Sequence, residues 1–509
     1  MHVLFATAGY AESMGVEVLS AQLKRAGHQT SLVHDPRLFD DGFDLSLPSL
    51  ARRLDWEDRA VARILEADPD LLAFSCVTAT WAWARRVAAR VRAVRPIPTV
   101  VGGPHASALP SRCLESVDFV CQGEGDEAME DLTASLAGGG DGRGIRNVWT
   151  RADGVPVPPP GIRPFLADLD SLPLPDKDLY RGVMPDRGLY NVMTARGCPG
   201  RCTFCYASQH ARLPTEPGAP WLRRRSVDHV LDELVWARRR QAFTGVEFHD
   251  DVFTVDPAWL ERFLPRYHER VATPYMVLSQ ARYLDRERVR LLAATGCRRV
   301  KMGIQTLESR EWKRTVLGRP EDEEDIARAI DACRAEGLRI EVDMILGFAE
   351  ETLEGRHHAL SFFRAHPPQR IATYWLALFP GTEILDRYRD RGLVPDSQWE
   401  AICDGEVVGY HHPPGREDPE DRDRRGHAAA FQLLPLLPPS ARGLLRPALL
   451  GRVPGLGPAA RWAQAAGLLA SVARGHGDDA LSYLRYYGRH LRRRDIVVAG
   501  TAASAAATP

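Results

Sequence analysis

Twice along the chain, short apolar runs alternate with stretches of helical period, and a proline-rich segment separates the two series. In the first series the apolar runs stand at 2–8, 30–34, 71–77, 98–103 and 118–122, with helix-period residues over 12–26, 55–67, 81–94 and 126–136. Short β-rich runs joined by helices fold as a doubly wound, flavodoxin-like parallel sheet, whose ligands sit at the carboxyl ends of the strands. The second series places runs at 190–196, 245–250, 275–280, 298–304, 338–346 and 371–379, and helical stretches at 227–240, 257–270, 286–294, 323–336, 353–365 and 383–391. A closed eight-fold barrel needs about 250 residues, so six βα units in this span predict an open, partial (β/α)6 barrel.

The prolines of 155–161 and 172–175 predict a stiff, extended linker with little helix or central strand. Beyond about residue 395 the alternation stops. Pro413 and Pro414 break the chain, 417–425 is a dense mixed-charge run, and 432–474 is rich in Leu, Ala and Pro and mostly helical in pattern. The expected organisation is a sheet module over 1–150, a linker over 151–189, a barrel over 190–394, and a mostly helical region over 395–509 ending in a disordered tail.

Within the second series stands Cys198-Pro-Gly-Arg-Cys202-Thr-Phe-Cys205, just after an apolar run. Three thiolates can hold three irons of a [4Fe-4S] cube and leave the fourth iron open, which makes it a reaction site and not only an electron carrier. Structural zinc is the competing reading, but such sites close with four ligands, usually as two pairs, and Cys76, Cys113, Cys121, Cys297, Cys333 and Cys403 are scattered singly. Disulfides fit poorly: the nine cysteines are an odd number and the N-terminus begins directly as a strand, without a signal-like segment. An exposed cluster suits the reducing cytoplasm. The net charge of −1 provides no basic field for nucleic acid. No apolar run reaches the roughly 18 residues of a transmembrane helix.

The CxxxCxxC spacing, with Phe204 before the third cysteine, resembles the signature of the radical S-adenosylmethionine (SAM) superfamily. The resemblance implies that the open iron chelates the amino and carboxylate groups of SAM and cleaves it to a 5′-deoxyadenosyl radical. Further strand ends match the family. Asp250-Asp251-Val252-Phe253-Thr254 resembles a DDxFT motif of a cobalamin-associated subgroup and implies a carboxylate for the SAM ammonium, although either Asp can also cap the next turn. The resemblance further implies SAM contacts from Phe204, Tyr206, Ser279, Arg282, Gln305 and Gly347. Relatives usually carry Glu where Gln305 stands, which puts an acid–base role there in doubt. Phe379-Pro-Gly-Thr382 resembles the family's P-G-T turn.

The first series resembles the cobalamin (B12)-binding domain that precedes the barrel in one large branch. That likeness implies cofactor contacts from Tyr10, Ser75, Thr78, Ala79, Gly102, Gly103, His105, Gly123, Glu124 and Gly125. Many B12 domains place a cobalt-ligating His after the first strand; the loop 8–16 has none, so cobalamin is expected without a protein histidine below it. His105 is read as a turn residue or a contact at the cofactor edge. A vestigial domain that binds nothing is the alternative.

The whole implies a cobalamin-dependent radical SAM methyltransferase (EC 2.1.1.-) working on an unactivated carbon of a small, secondary-metabolite-like molecule, with an external flavodoxin- or ferredoxin-type electron donor. A B12-assisted oxidative cyclase or rearrangement enzyme uses the same parts. A non-catalytic Fe–S or zinc sensor is the reading from another class. The substrate pocket is expected at the barrel-mouth loops and around Tyr410, His411 and His412.

Overall fold

The computed structural model describes residues 1–9, 11–38, 48–54, 56–184, 188–407, 419–450, 488–491 and 498–500. Strands β1 (His2–Ala8), β2 (Gln29–Asp35), β3 (Leu71–Ser75), β4 (Thr99–Gly102) and β5 (Phe119–Cys121) run parallel in the order 2-1-3-4-5. Strand alternation gives the sheet two buried faces. Val3 and Phe5 pack on helices Met14–Arg25 and Asp126–Ala137, while Leu4 and Ala6 pack on Glu57–Ala67 and Thr78–Val94. The strand order reverses between β1 and β3, and the crevice outside their carboxyl ends is where such sheets take ligands.

Strands β6 (Val148–Ala152) and β7 (Val155–Val157) extend the sheet antiparallel. The proline-rich stretch is thus extended, but its first residues are sheet. Pro156 is tolerated because β7 is an outer strand, where a missing N–H removes no ladder bond. Farther on, Asp176 accepts from Ser20 Oγ (2.6 Å) and Lys24 Nζ (2.7 Å), which ties the linker along the first helix.

The second module contains β8 (Leu189–Val192), the short antiparallel pair β9 (Ala195–Arg196) and β10 (Arg223–Arg224), then β11 (Gly245–Phe248), β12 (Tyr275–Ser279), β13 (Cys297–Gln305), β14 (Arg339–Leu346) and β15 (Arg370–Trp375). Six of these form one parallel sheet in the order 8-11-12-13-14-15, a partial barrel. The apolar run at 190–196 is split, because Asp250 captures Thr194 and Ala195 and turns the chain out of β8 into β9.

Alternate residues face opposite sides. Tyr190, Val192, Phe248, Val277, Val300, Val342 and Ile371 join the core under the helices. Residues of the other parity are polar and pair across strands: Arg299 with Glu247 (2.9 Å), Arg370 with Glu341 (3.4 Å) and Lys301 with Asp343 (3.3 Å). The barrel interior is therefore a polar lumen and not the packed apolar interior of a closed barrel.

The C-terminal region divides between the two modules. Helix Asp396–Cys403 and the residues after it return to the first module, where Arg112 and Arg85 hold Asp404 (2.9 and 3.2 Å). Helix Pro419–Leu433 packs on the barrel through Phe431 and Arg424. The region is also not helical throughout: β16 (Val498–Gly500) pairs antiparallel with β2. The expected tail at 502–509 and most of 432–474 past residue 450 lie outside the described residues. Among the described residues no helix is long and apolar enough to cross a membrane.

Candidate active site

Cys198, Cys202 and Cys205 are free thiols in the loop between β9 and helix Tyr206–His210. Gly200 runs beside two of them: a Cβ there would lie in ordinary contact, 3.4 Å from Cys198 Sγ and 3.6 Å from Cys202 Sγ. The loop is pinned at Thr203. Its N–H donates to Leu317 O (3.0 Å), its hydroxyl to Val316 O (2.7 Å), and its carbonyl accepts from Ile384 N–H (3.1 Å). The partner segment, Lys313–Leu317, is a π-helical turn, a geometry common at functional sites. Burial pushes Cys198 up to about 12 and Cys205 up to about 11. Cys202 also rises with burial, opposed by the Arg319 guanidinium beside it. A cluster fits this donor set, and its binding would displace these protons.

The two aspartates after β11 have separate duties. Asp250 is 1% exposed and accepts from Thr194 N–H (2.6 Å), Ala195 N–H (2.9 Å) and the Thr194 hydroxyl. It holds the cysteine strand in place, with three of its acceptor sites committed to Thr194 and Ala195. Asp251 is exposed, accepts no hydrogen bond among the described residues, and acts electrostatically on Cys198, Cys205 and Tyr206. Desolvation of its carboxyl by the surrounding chain and the adjacent Asp250 charge push it up to about 6. An unpaired carboxylate beside two of the three thiols is a seat for a cation.

Ser279 is likewise committed to the fold, through Thr254 (2.5 Å). Arg282 is exposed and lies over the Tyr283 ring. The residue of this strand end that meets the cysteine loop is Gln280, whose Nε2 lies 3.4 Å from the Gly200 Cβ position. Gln305 stands at a register shift in β13 with φ +71 and folds its amide back over Gly303. A non-glycine residue held there is strained, and such strain gathers at functional sites. Gly347 (φ +94) lies against Trp375, 3.5 Å from a would-be Cβ, and gives its N–H to Glu351 (3.1 Å). Phe204 packs edge-on to Phe348, and Tyr206 is 45% exposed beside the thiols.

At the carboxyl edge of the first sheet, Gly9 (φ +123) has open space where its Cβ would be, and Val77 is 48% exposed. Ser75 is half-buried at the end of β3. Gly103 must be glycine: a Cβ would lie 2.6 Å from the Cys76 carbonyl oxygen. Gly102 is half-buried beside it, and the Ala79 carbonyl accepts from Arg37 (2.6 Å). Tyr10 lies outside the described residues. His105 does not reach a cofactor edge. Its ring is 1% exposed, stacked on Trp81, with Nδ1 3.2 Å from Thr78 Oγ1. His34 is equally buried. This open, glycine-bordered edge, with no accessible histidine among the described residues, fits a corrin whose lower face takes no protein imidazole.

The Gly123–Gly125 turn follows β5 on the same carboxyl edge, but it is covered by other parts of the chain. Gly123 faces Asn147, Ile162 and Leu213, and Gly125 packs on Leu19. Glu124 is occupied by Arg223 and Arg196. This turn meets the barrel, and Glu124 makes a contact between the modules.

The B12 binding domain family matches residues 1–133, and the radical SAM superfamily matches residues 192–363. The chain therefore carries a B12-binding domain followed by a radical SAM domain. It is 25% identical over 378 residues to an uncharacterized methyltransferase of Pyrococcus horikoshii, covering 72% of this chain and 77% of that one. It is 22% identical over 359 residues to the anaerobic magnesium-protoporphyrin IX monomethyl ester cyclase of Rubrivivax gelatinosus, covering 67% of this chain and 62% of that one. The fold matches the radical SAM methyltransferase TsrM of Kitasatospora setae, solved with cobalamin and a [4Fe-4S] cluster. The TM-score is 0.60 at 20% identity, over 77% of this chain and 79% of that one.

The chain is a radical SAM enzyme by its domains, which call for a [4Fe-4S] cluster, SAM and cobalamin, and its relatives include methyltransferases. Sequence reasoning missed two partners of the cysteine loop besides Gln280. Arg319, buried beside Cys202, donates to Gly303 O (2.8 Å) and Glu321 (2.6 Å). Arg196, two residues before Cys198, binds Asp126. Only a Gly-Arg-Pro turn marks the first, and nothing local marks the second.

Proposed function

We propose that the chain methylates an unactivated carbon of a small molecule, with SAM and the cluster providing hydrogen abstraction. Asp251 carries this reading: it is the unpaired carboxylate beside the Cys198 and Cys205 thiols of the CxxxCxxC loop. When bound, the cluster supplies the electron that cleaves SAM to a 5′-deoxyadenosyl radical, and cobalamin supplies the methyl group. Cys198, Cys202 and Cys205 hold three irons. Asp251 pairs with the SAM ammonium, while Gly347 gives adenine a flat approach beside Trp375. The lumen pair Lys301–Asp343, with side chains 30% and 20% exposed, suits a polar small substrate and no macromolecule. Burial of Cys202 and Thr203 shelters the cluster from water on the loop's inner side.

The cyclase-named relative supports a second reading, loss of hydrogens without a methyl gain. The reduced, fully loaded enzyme is incubated anaerobically with SAM deuterated in its methyl group and with fractionated small-molecule extract. A product heavier by one labelled methyl supports transfer; a product lighter by two hydrogens and unlabelled replaces it with oxidation.

A further inference from the structure

The contact between the two modules is concentrated beside the cluster-binding loop. Glu124 Oε1 accepts from Arg223 Nη2 (2.9 Å) and Arg196 Nη1 (3.3 Å), and its Oε2 accepts from Arg223 Nη1 (2.9 Å) and Leu166 N–H (2.8 Å). Asp126 takes Arg196 from both sides, at 2.6 and 3.0 Å. Two carboxylates thus face two guanidinium groups, each pair gripped through two oxygens and two nitrogens, an arrangement with strict directionality. Asp126 and Arg223 have side chains 7% and 3% exposed, so water competes little. Arg196 and Arg223 are direct partners in the β9–β10 ladder.

No slack lies between this network and the cysteines. Gly197, the one residue between Arg196 and Cys198, has φ +96, and a Cβ there would run into the Trp221 carbonyl. Phe165 and Trp221 rings lie 5.0 and 5.8 Å from the Arg223 guanidinium carbon and fix it further. On the other side, Glu124 follows β5 directly, on the same carboxyl edge as the crevice between β1 and β3.

We infer that Glu124 and Asp126 are positioning residues: through Arg196 and Arg223 they set the separation between the cobalt and the cluster. This rests on the cofactor placement proposed above. A wrong separation does not abolish either cofactor site; it spoils the alignment of hydrogen abstraction with methyl delivery, where displacements near 1 Å matter.

The test loads wild type and Glu124→Gln/Asp126→Asn with cobalamin, brings cobalt to its paramagnetic Co(II) state, reduces the cluster, and measures the cobalt–cluster distance by pulsed dipolar EPR. Iron content and corrin absorbance report loading. The expected result is one narrow distance in wild type and a broadened or shifted distribution in the loaded variant. The same narrow distance in both overturns the inference. Hydrogen exchange across Thr194–Cys205 in cofactor-free protein is the second arm. Faster exchange in the variant supports the inference and unchanged exchange overturns it. A wild type that takes up no cobalamin removes the cofactor reading, and the exchange arm then decides the joint alone. If the double variant does not fold, Glu124→Gln alone is carried through both arms with the same outcomes.

Discussion

Asp250 and Asp251 are adjacent and chemically identical, yet the fold assigns them opposite work. Asp251→Asn should weaken SAM binding to the cluster-loaded protein by about 2 kcal/mol, roughly thirtyfold in Kd, the scale of a charge-assisted contact. Asp250→Asn should leave donors at Thr194 and Ala195 poorly met and lower stability by about 2 kcal/mol. SAM titration and thermal denaturation of both variants separate the roles, and the reverse pattern contradicts the assignment. At Gln305 the conflict is between backbone and function. Gln305→Gly should relieve about 1 kcal/mol of left-handed strain and raise Tm while weakening SAM binding. Lower Tm with unchanged SAM affinity would show that the amide over Gly303 serves the fold only. The motifs were legible at this scale as types and spacings. Which aspartate was free was not, because that depends on where β11 ends and β9 turns out. Ser279 and Gln280 differ for the same reason: one position along a strand end exchanges the inside for the site.

At the scale of elements, most strands and helices followed from periodicity, since both faces of the first sheet and the outer face of the barrel are apolar. The polar lumen was written in the alternation of β13 and β14, where Arg299, Lys301, Glu341 and Asp343 share one parity. Their pairing across strands needed the register. The first sheet also carries an acid weakness. Burial pushes His34 down to about 3 and His105 down to about 4. Below the ordinary value near 6.5, the unfolded chain takes protons that the folded sheet refuses. Stability is therefore full above pH 6.5 and falls as pH drops toward 4, by up to about 1.4 kcal/mol per pH unit for each group. Urea unfolding from pH 7 to 5 should show this loss, and His34→Gln or His105→Gln should reduce the slope. Slopes identical to wild type would assign the loss to other groups.

For the whole molecule, the long-range ties were the part hidden from the sequence. Glu124 meets Arg196 and Arg223 across 72 and 99 residues, and Arg112 meets Asp404 across 292. No local pattern announces such pairs. The returning segment depends on Gly405, whose φ is +69 and whose Cβ would lie 2.7 Å from the Thr78 carbonyl oxygen. Gly405→Ala should cost about 2 kcal/mol and speed hydrogen exchange at Thr78–Ala82, whereas unchanged exchange would mean the segment only rests on the helix. The central claim is that residues 198–205, with Asp251, cleave SAM reductively. Wild type and Cys202→Ala, reconstituted anaerobically with iron and sulfide and treated with dithionite and SAM, are assayed for 5′-deoxyadenosine. Wild type should yield 5′-deoxyadenosine and Cys202→Ala none; equal product from both, or none from a wild type that holds its cluster, rules out SAM cleavage at these cysteines.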